Sequence, residues 1–187
     1  MLAILITLET LLAHGPVVSI ETETDGKFAA AIGLADVAAP IDRVWAVLTE
    51  FGAYHEFVPR VAQSAVTTAE GGLLATFEIE SPGPNTRYTV QYALDGLAHV
   101  AAGRQVAGDL KGSTWRWELF ETAPGRTRVR YTSRARNFSS ILNALEDDAQ
   151  TVTAGLNVGA AITMLRALKK RCESGSGAPG PIAEPSR

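Results

Sequence analysis

The 187-residue chain has one cysteine, Cys172, and 3 histidines, and its 17 Lys and Arg nearly balance 20 Asp and Glu, leaving a formal net charge of −3. A single cysteine excludes an internal disulfide framework and a thiolate metal cluster. Cys172 reads as a small apolar residue of a terminal helix more readily than as a reactive thiol. His14, His55 and His99 stand far apart, without the HExxH or paired spacing of a metal site, so neither a metal nor a cofactor is expected. A slightly acidic balance gives no electrostatic reason to expect nucleic acid. Gly71-Gly72 and Gly108 to Gly112 lack the order and flanking helix of a phosphate loop, and Ser64, Ser113 and Ser133 have no nucleophile-elbow motif around them. No residue is therefore assigned a catalytic role. His55, in the YHEFVP turn beside Glu56, reads as an exposed loop histidine. The acidic run Glu146-Asp147-Asp148 reads as a solvated face, and Arg116, Glu118, Arg128 and Arg130 as cross-strand pairs on an outer surface.

What remains is an ordinary globular composition, 46% hydrophobic and 20% charged, enough for one domain with a substantial core. The first sixteen residues are ambiguous. Leu2 to Leu12 has the length of a signal h-region, and Ala13-His14-Gly15 supplies small residues at a cleavage position. Against this, no Lys or Arg precedes the run, Glu9 interrupts it, and Pro16 would follow the cut. Residues 1–16 are thus a signal segment or a start helix, too short for a confident membrane span, and the compartment, cytoplasmic or exported, stays open.

The sharpest change of hydrophobic period lies in VAAPIDRVWAVLTEFGAYHEFVPRV, from Val37 to Val61. Pro40 presets a helical φ, so Ile41 to Thr49 begins as a helix with Val44, Val47 and Leu48 on one face. Gly52 breaks it, a short turn carries Tyr54 and Phe57, and Pro59 closes that turn. Elsewhere the chain alternates with period two. Asp25-Gly26 marks a hairpin between Val17–Glu23 and Phe28–Val37. Strands follow through Ala62–Thr68, Leu73–Ile79, Tyr88–Tyr92, His99–Val106, Trp115–Leu119 and Val129–Ser133, separated by turns such as SPGPN and APG. Each has one apolar and one polar face, which predicts an antiparallel meander wetted on its outside. Ser139 or Ser140 can cap a helix running to about Arg171, with Leu145, Val152, Leu156 and Thr163 on one stripe and Val158, Ile162, Leu165 and Leu168 on a second. Residues 174–187, SGSGAPGPIAEPSR, read as a flexible tail.

A two-striped helix and a curved sheet with an apolar inner face need each other, which predicts an α+β domain over residues 17–173. The order resembles the helix-grip fold of the START and birch-pollen-allergen-like superfamily. The stretch APIDRVWAVLTEFGAYHEFVPRV resembles the signature of the polyketide cyclase/dehydrase family, including its coenzyme Q-binding START-like branch. The resemblance covers roughly residues 27–173; the strand Val17–Glu23 is a departure from it. It implies a curved antiparallel sheet wrapped around a long C-terminal helix, with two short helices after the first family strand.

Physically, such a grip can leave an apolar pocket between sheet and helix. The residues assigned to it are Phe77, Ile79, Tyr88, Val90, Tyr92, Trp115, Trp117, Val129 and Tyr131 from the sheet, Leu145, Val152 and Leu156 from the helix, and Phe57 near the mouth. Tyrosine and tryptophan bring polar tips into an apolar wall, which suits a ligand with a ring and one or two oxygens. The expected function is binding or transport of a hydrophobic small molecule, a lipid, isoprenoid quinone or polyketide. Membrane contact would serve its exchange, and the oligomeric state stays open. The alternative is a polyketide cyclase or aromatase using the same cavity, with a tyrosine orienting a poly-ketone chain.

Overall fold

The computed structural model describes residues 7–69, 72–81, 84–136 and 148–174. The chain opens with helix α1 (Leu8–His14) and strands β1 (Val17–Thr22) and β2 (Phe28–Val37). Next come helix α2 (Ile41–Thr49), a 3-10 turn (Phe51–Ala53) and the single-turn helix α3 (Tyr54–Phe57). Six strands then run without interruption by helix: β3 (Val61–Ala69), β4 (Gly72–Ile79), β5 (Thr86–Asp95), β6 (Val100–Gly108), β7 (Thr114–Ala123) and β8 (Arg126–Arg134). Helix α4 (Asp148–Ser174) ends the described chain.

The eight strands form one antiparallel sheet in the order β1-β2-β8-β7-β6-β5-β4-β3. This is the helix-grip, START-like arrangement expected from the sequence. Meander connections account for β3 to β8, since short turns join neighbours; the β2–β8 pairing then brings the ends of the domain together. Pro40 sits at the N-cap of α2 with extended ψ, and its carbonyl accepts from the amides of Arg43 and Val44, both at 3.1 Å. Val44 and Leu48 are fully buried beneath that helix. The strand expected from His99 starts one residue later. His99 takes a left-handed φ of 50°, and its ring meets Trp45 edge-on at 5.6 Å between centroids.

Helix α4 lies along β2. Gly33 is the point of closest approach: a Cβ built there would come within 2.5 Å of Leu165 Cδ1 and 3.7 Å of Ala161 Cβ. The helix face that meets the sheet is Asn157, Ala161, Leu165, Leu168 and Cys172, spaced by three or four residues and at most 3% exposed. Small residues at Gly33 and Ala161 let the two backbones approach, and that sets the helix's rotation. Of the two stripes read from the sequence, the one holding Leu165 and Leu168 supplies the contact. Leu156 does not join it and is 42% exposed. Val152 is half-buried. Leu145, Glu146, Asp147 and the expected caps Ser139 and Ser140 lie outside the described residues.

Both ends of α4 are tied to β2. Near its start Gln150 Oε1 accepts from the Phe28 amide at 3.2 Å, and at its end Glu173 Oε1 accepts from the Ala38 amide at 2.8 Å. Lys169 donates to the Asp36 carbonyl at 2.6 Å, and Arg43 Nε to the Cys172 carbonyl at 2.8 Å, which gives one of the last helical carbonyls a partner. On the opposite face of the sheet Arg128 bridges Asp36 of β2 and Glu9 of α1 at 2.7 and 2.9 Å. Residues 8–14 are thus helical and attached to the domain.

Candidate functional site

The alternation of each strand places the expected side chains together. Phe77, Val90, Tyr92, Trp115, Trp117, Val129 and Tyr131 are buried members of the single core, and Phe57, Ile79 and Tyr88 are partly buried against it. All the sheet residues assigned from the sequence therefore share the face that α2, α3 and α4 cover. The sequence reading missed Phe51 and left Tyr54 out of the set, although both fall in the short turn after α2.

These two residues join the sheet aromatics into one chain of ring contacts. Phe51 stacks on Tyr92, with centroids 4.0 Å apart and planes 14° off parallel, and meets Tyr54 at 5.5 Å. Tyr54 touches Phe77 at 5.6 Å and Phe57 at 5.3 Å. Phe77 meets Tyr88 at 5.7 Å, and Tyr88 stacks on Trp115 at 5.4 Å. Trp117 and Tyr131 form a separate stack at 4.0 Å. Much of the concavity is taken up by these contacts, each favourable beyond the area it buries. Gly103 makes room for them: a Cβ there would come within 2.7 Å of both Tyr92 Cε1 and Val90 Cγ1.

The polar tips distinguish this wall from plain core. Tyr54 donates its hydroxyl to the Leu48 carbonyl at 2.7 Å. Among the described residues, no buried polar side-chain atom lacks a partner, yet neither Tyr88 nor Tyr92 makes a side-chain hydrogen bond. Tyr92 is 6% exposed and Tyr88 partly buried, so their hydroxyls are polar tips within the aromatic wall with no side-chain partner among the described residues. Burial drives the phenol of Tyr88 well above its ordinary pKa; for Tyr92, burial and then the neighbouring Tyr54, Tyr131 and Tyr88 do the same. Tyr131 is shifted upward chiefly by burial, with Tyr88 adding to it and Ser133 opposing. At physiological pH all are neutral phenols, able to donate or accept one hydrogen bond and unsuited to act as anionic bases.

His55 is exposed, as expected. Its Nδ1 lies 2.8 Å from Ser64 Oγ and 3.0 Å from the Gly52 carbonyl, while Ser64 Oγ donates to that carbonyl at 2.7 Å and accepts from the His55 amide at 3.1 Å. Ser64 Oγ thus links the His55 amide and ring to the Gly52 carbonyl, and this pair pins α3 to β3. Glu56 turns instead to Arg171 at 3.0 Å, and that guanidinium also covers the Phe57 ring at 5.6 Å. Cys172 is 1% exposed, and burial first of all pushes its thiol up to about 11.

The geometry defines a START-like helix-grip protein whose inner wall is aromatic. The family model described as polyketide cyclase / dehydrase and lipid transport matches residues 27–173, and the chain belongs to that family. Among curated proteins, none matches the chain. Solved structures with the same fold include the Zhui aromatase/cyclase from Streptomyces sp. R1128, with a TM-score of 0.67 and 21% identity over 82% of this chain and 98% of that one. A STAR-related lipid transfer protein fragment from Xanthomonas axonopodis has a TM-score of 0.57 and 20% identity, covering 83% of this chain and 98% of its own. A START superfamily protein from Mycobacterium smegmatis has 0.61 and 14%, covering 78% and 97%. At these identities the likeness is one of fold.

Proposed function

We propose that this protein binds a hydrophobic small molecule, a lipid, isoprenoid quinone or polyketide, on the inner aromatic face, and carries it without changing it. The observation that carries this reading is the pair of hydroxyls on Tyr88 and Tyr92, set in the aromatic wall and unpartnered among the described residues. An apolar wall with a few polar tips is the composition of a small-molecule site. Phe57, Phe77, Ile79, Val90, Trp115, Trp117, Val129 and Tyr131 supply apolar contact, and half-buried Val152 borders it from α4, whereas Leu156, 42% exposed, is left out. Membership of a family described by both polyketide cyclisation and lipid transport fits such a guest.

A second reading, aromatase or cyclase, has one observation in its favour. Neutral phenols held at fixed positions can hydrogen-bond ketone oxygens along a folded poly-ketone chain and polarise them. The binding reading ranks first because, among the described residues, the inward set contains no carboxylate or imidazole to move a proton. Native mass spectrometry and organic extraction of the purified protein test it. A retained apolar molecule, or saturable uptake of a fluorescent apolar probe, is the expected result. Purified protein that holds nothing and takes up no probe would sink both readings, while release of a cyclised product from a poly-ketone would favour the second.

A further inference from the structure

On the face of the sheet turned away from α4 lies a pocket of about 560 Å³. Its cationic walls come from three strands. Arg104 of β6, Thr114 of β7 and Arg134 of β8 are register neighbours across the sheet, and Arg116 stands two residues along β7, flanked by Ala102 and Thr132. Neighbouring strands are about 4.8 Å apart and residues on one face about 7 Å apart along a strand. The three arginine backbones thus frame a triangle roughly 10 Å across, with small residues for its floor.

Three like charges at that spacing repel one another, and the acids near them sit at the rim. Glu118 pairs with Arg116 at 3.1 Å but also with Arg130 at 3.6 Å, and Glu21 reaches Arg134 at 3.4 Å. Arg104 has a neutral partner, donating to Gln91 Oε1. The floor adds a further polar group. Thr132 is only 6% exposed, and among the described residues its side chain makes no hydrogen bond. Guanidinium forks and hydroxyls converging on an open pocket match the oxygens of a phosphate group.

We propose that this pocket binds the phosphate of a small phosphate ester, with Arg104, Arg116 and Arg134 on its oxygens, Thr114 and Thr132 beneath, and the organic part over Ala102. The site is separate from the aromatic concavity, lies on the other side of the sheet, and stands whether or not the inner face binds a guest. The volume exceeds what one phosphate fills, which is why an ester is proposed.

Calorimetric titration of the full chain with inorganic pyrophosphate at low salt tests the site, run beside R104Q, R134Q and the control R126Q, which removes the same charge elsewhere. All three positions are exposed, and unchanged far-UV dichroism certifies folding. Saturable binding by the parent, weakened about tenfold or more by R104Q or R134Q and within about twofold by R126Q, is expected. A titration that never saturates, or equal weakening by all three variants, overturns the proposal. Co-sedimentation with phosphatidylglycerol vesicles identifies the source: sedimentation lost in the same two variants assigns the phosphate to a lipid headgroup, and its absence assigns it to a soluble ester. The site stands in both cases.

Discussion

Asn157 of α4 and Ser133 of β8 meet at 2.7 Å inside the protein, the serine hydroxyl donating to Oδ1. The same oxygen accepts from the Ala135 amide at 3.0 Å, and Nδ2 donates to the carbonyls of Ala135 and Thr153, both at 2.9 Å. One fully buried amide thus stitches the helix to the strand end, using donor and acceptor alike. Replacing it with leucine orphans the Ser133 hydroxyl and both backbone groups of Ala135. Asn157→Leu should lose roughly 2 to 4 kcal/mol in urea unfolding. Unchanged stability would show that water replaces the amide.

Asn157→Asp gives a sharper version with a pH dependence. The new carboxyl would face two carbonyl oxygens in a buried site, so its folded pKa lies above the unfolded value of about 4. Folding then binds a proton more tightly, and stability declines as pH rises from the unfolded toward the folded pKa. Thermal melts should place the variant nearest the parent at about pH 4 and furthest below it near pH 7.

Asp36 shows the opposite sign. The Arg128 guanidinium beside it outweighs burial and holds its carboxyl below the usual range. Its contribution is complete above the unfolded pKa and fades as pH falls through the folded one. The pair is partly solvated, so Asp36→Asn should cost about 1 kcal/mol or less at pH 7. Parent and variant should converge on acidification; a difference that persists at the lowest pH would mean that the substitution disturbs packing instead.

At Tyr88 and Tyr92 the proposed guest can be probed without touching the fold. Tyr88→Phe and Tyr92→Phe remove a hydroxyl that has no partner among the described residues, so the melting temperature should hardly move. Affinity for a polar-tipped apolar probe should drop by about tenfold per lost hydrogen bond, or less. Equal affinity for all variants would exclude these tips from the site.

Gly103→Val tests the room behind Tyr92. The added side chain would enter space held by the Tyr92 ring and Val90, costing about 1 to 3 kcal/mol and shifting the near-UV dichroism of the Phe51–Tyr92 stack.

The sheet was readable because period-two alternation is a local signal: Tyr88, Val90 and Tyr92, or Trp115 and Trp117, declare a shared face from spacing alone. The α2 stretch was readable because Pro40 and Gly52 punctuate it. The rotation of α4 was not, since Leu156 and Leu165 are equally apolar in sequence. What decides between them is a glycine on a distant strand, Gly33, and an alanine, Ala161, neither of which scores as a contact. Asn157 was missed for a related reason. A lone amide in a helix reads as surface until Ser133 and Ala135 are known to lie beneath it. Phe51 and Tyr54 entered the site through tertiary stacking that no periodicity announces.

Fastening α4 to the two ends of one strand has a metrical consequence. The 23 helical steps from Gln150 to Glu173 span about 34 Å, and the ten extended steps from Phe28 to Ala38 span about 34 Å as well, so both clasps close only because the two lengths are commensurate. Removing one helical turn between them would leave one clasp about 5 Å short. The tolerance of this architecture to insertion and deletion is therefore a matter of ruler length, met in whole turns or not at all.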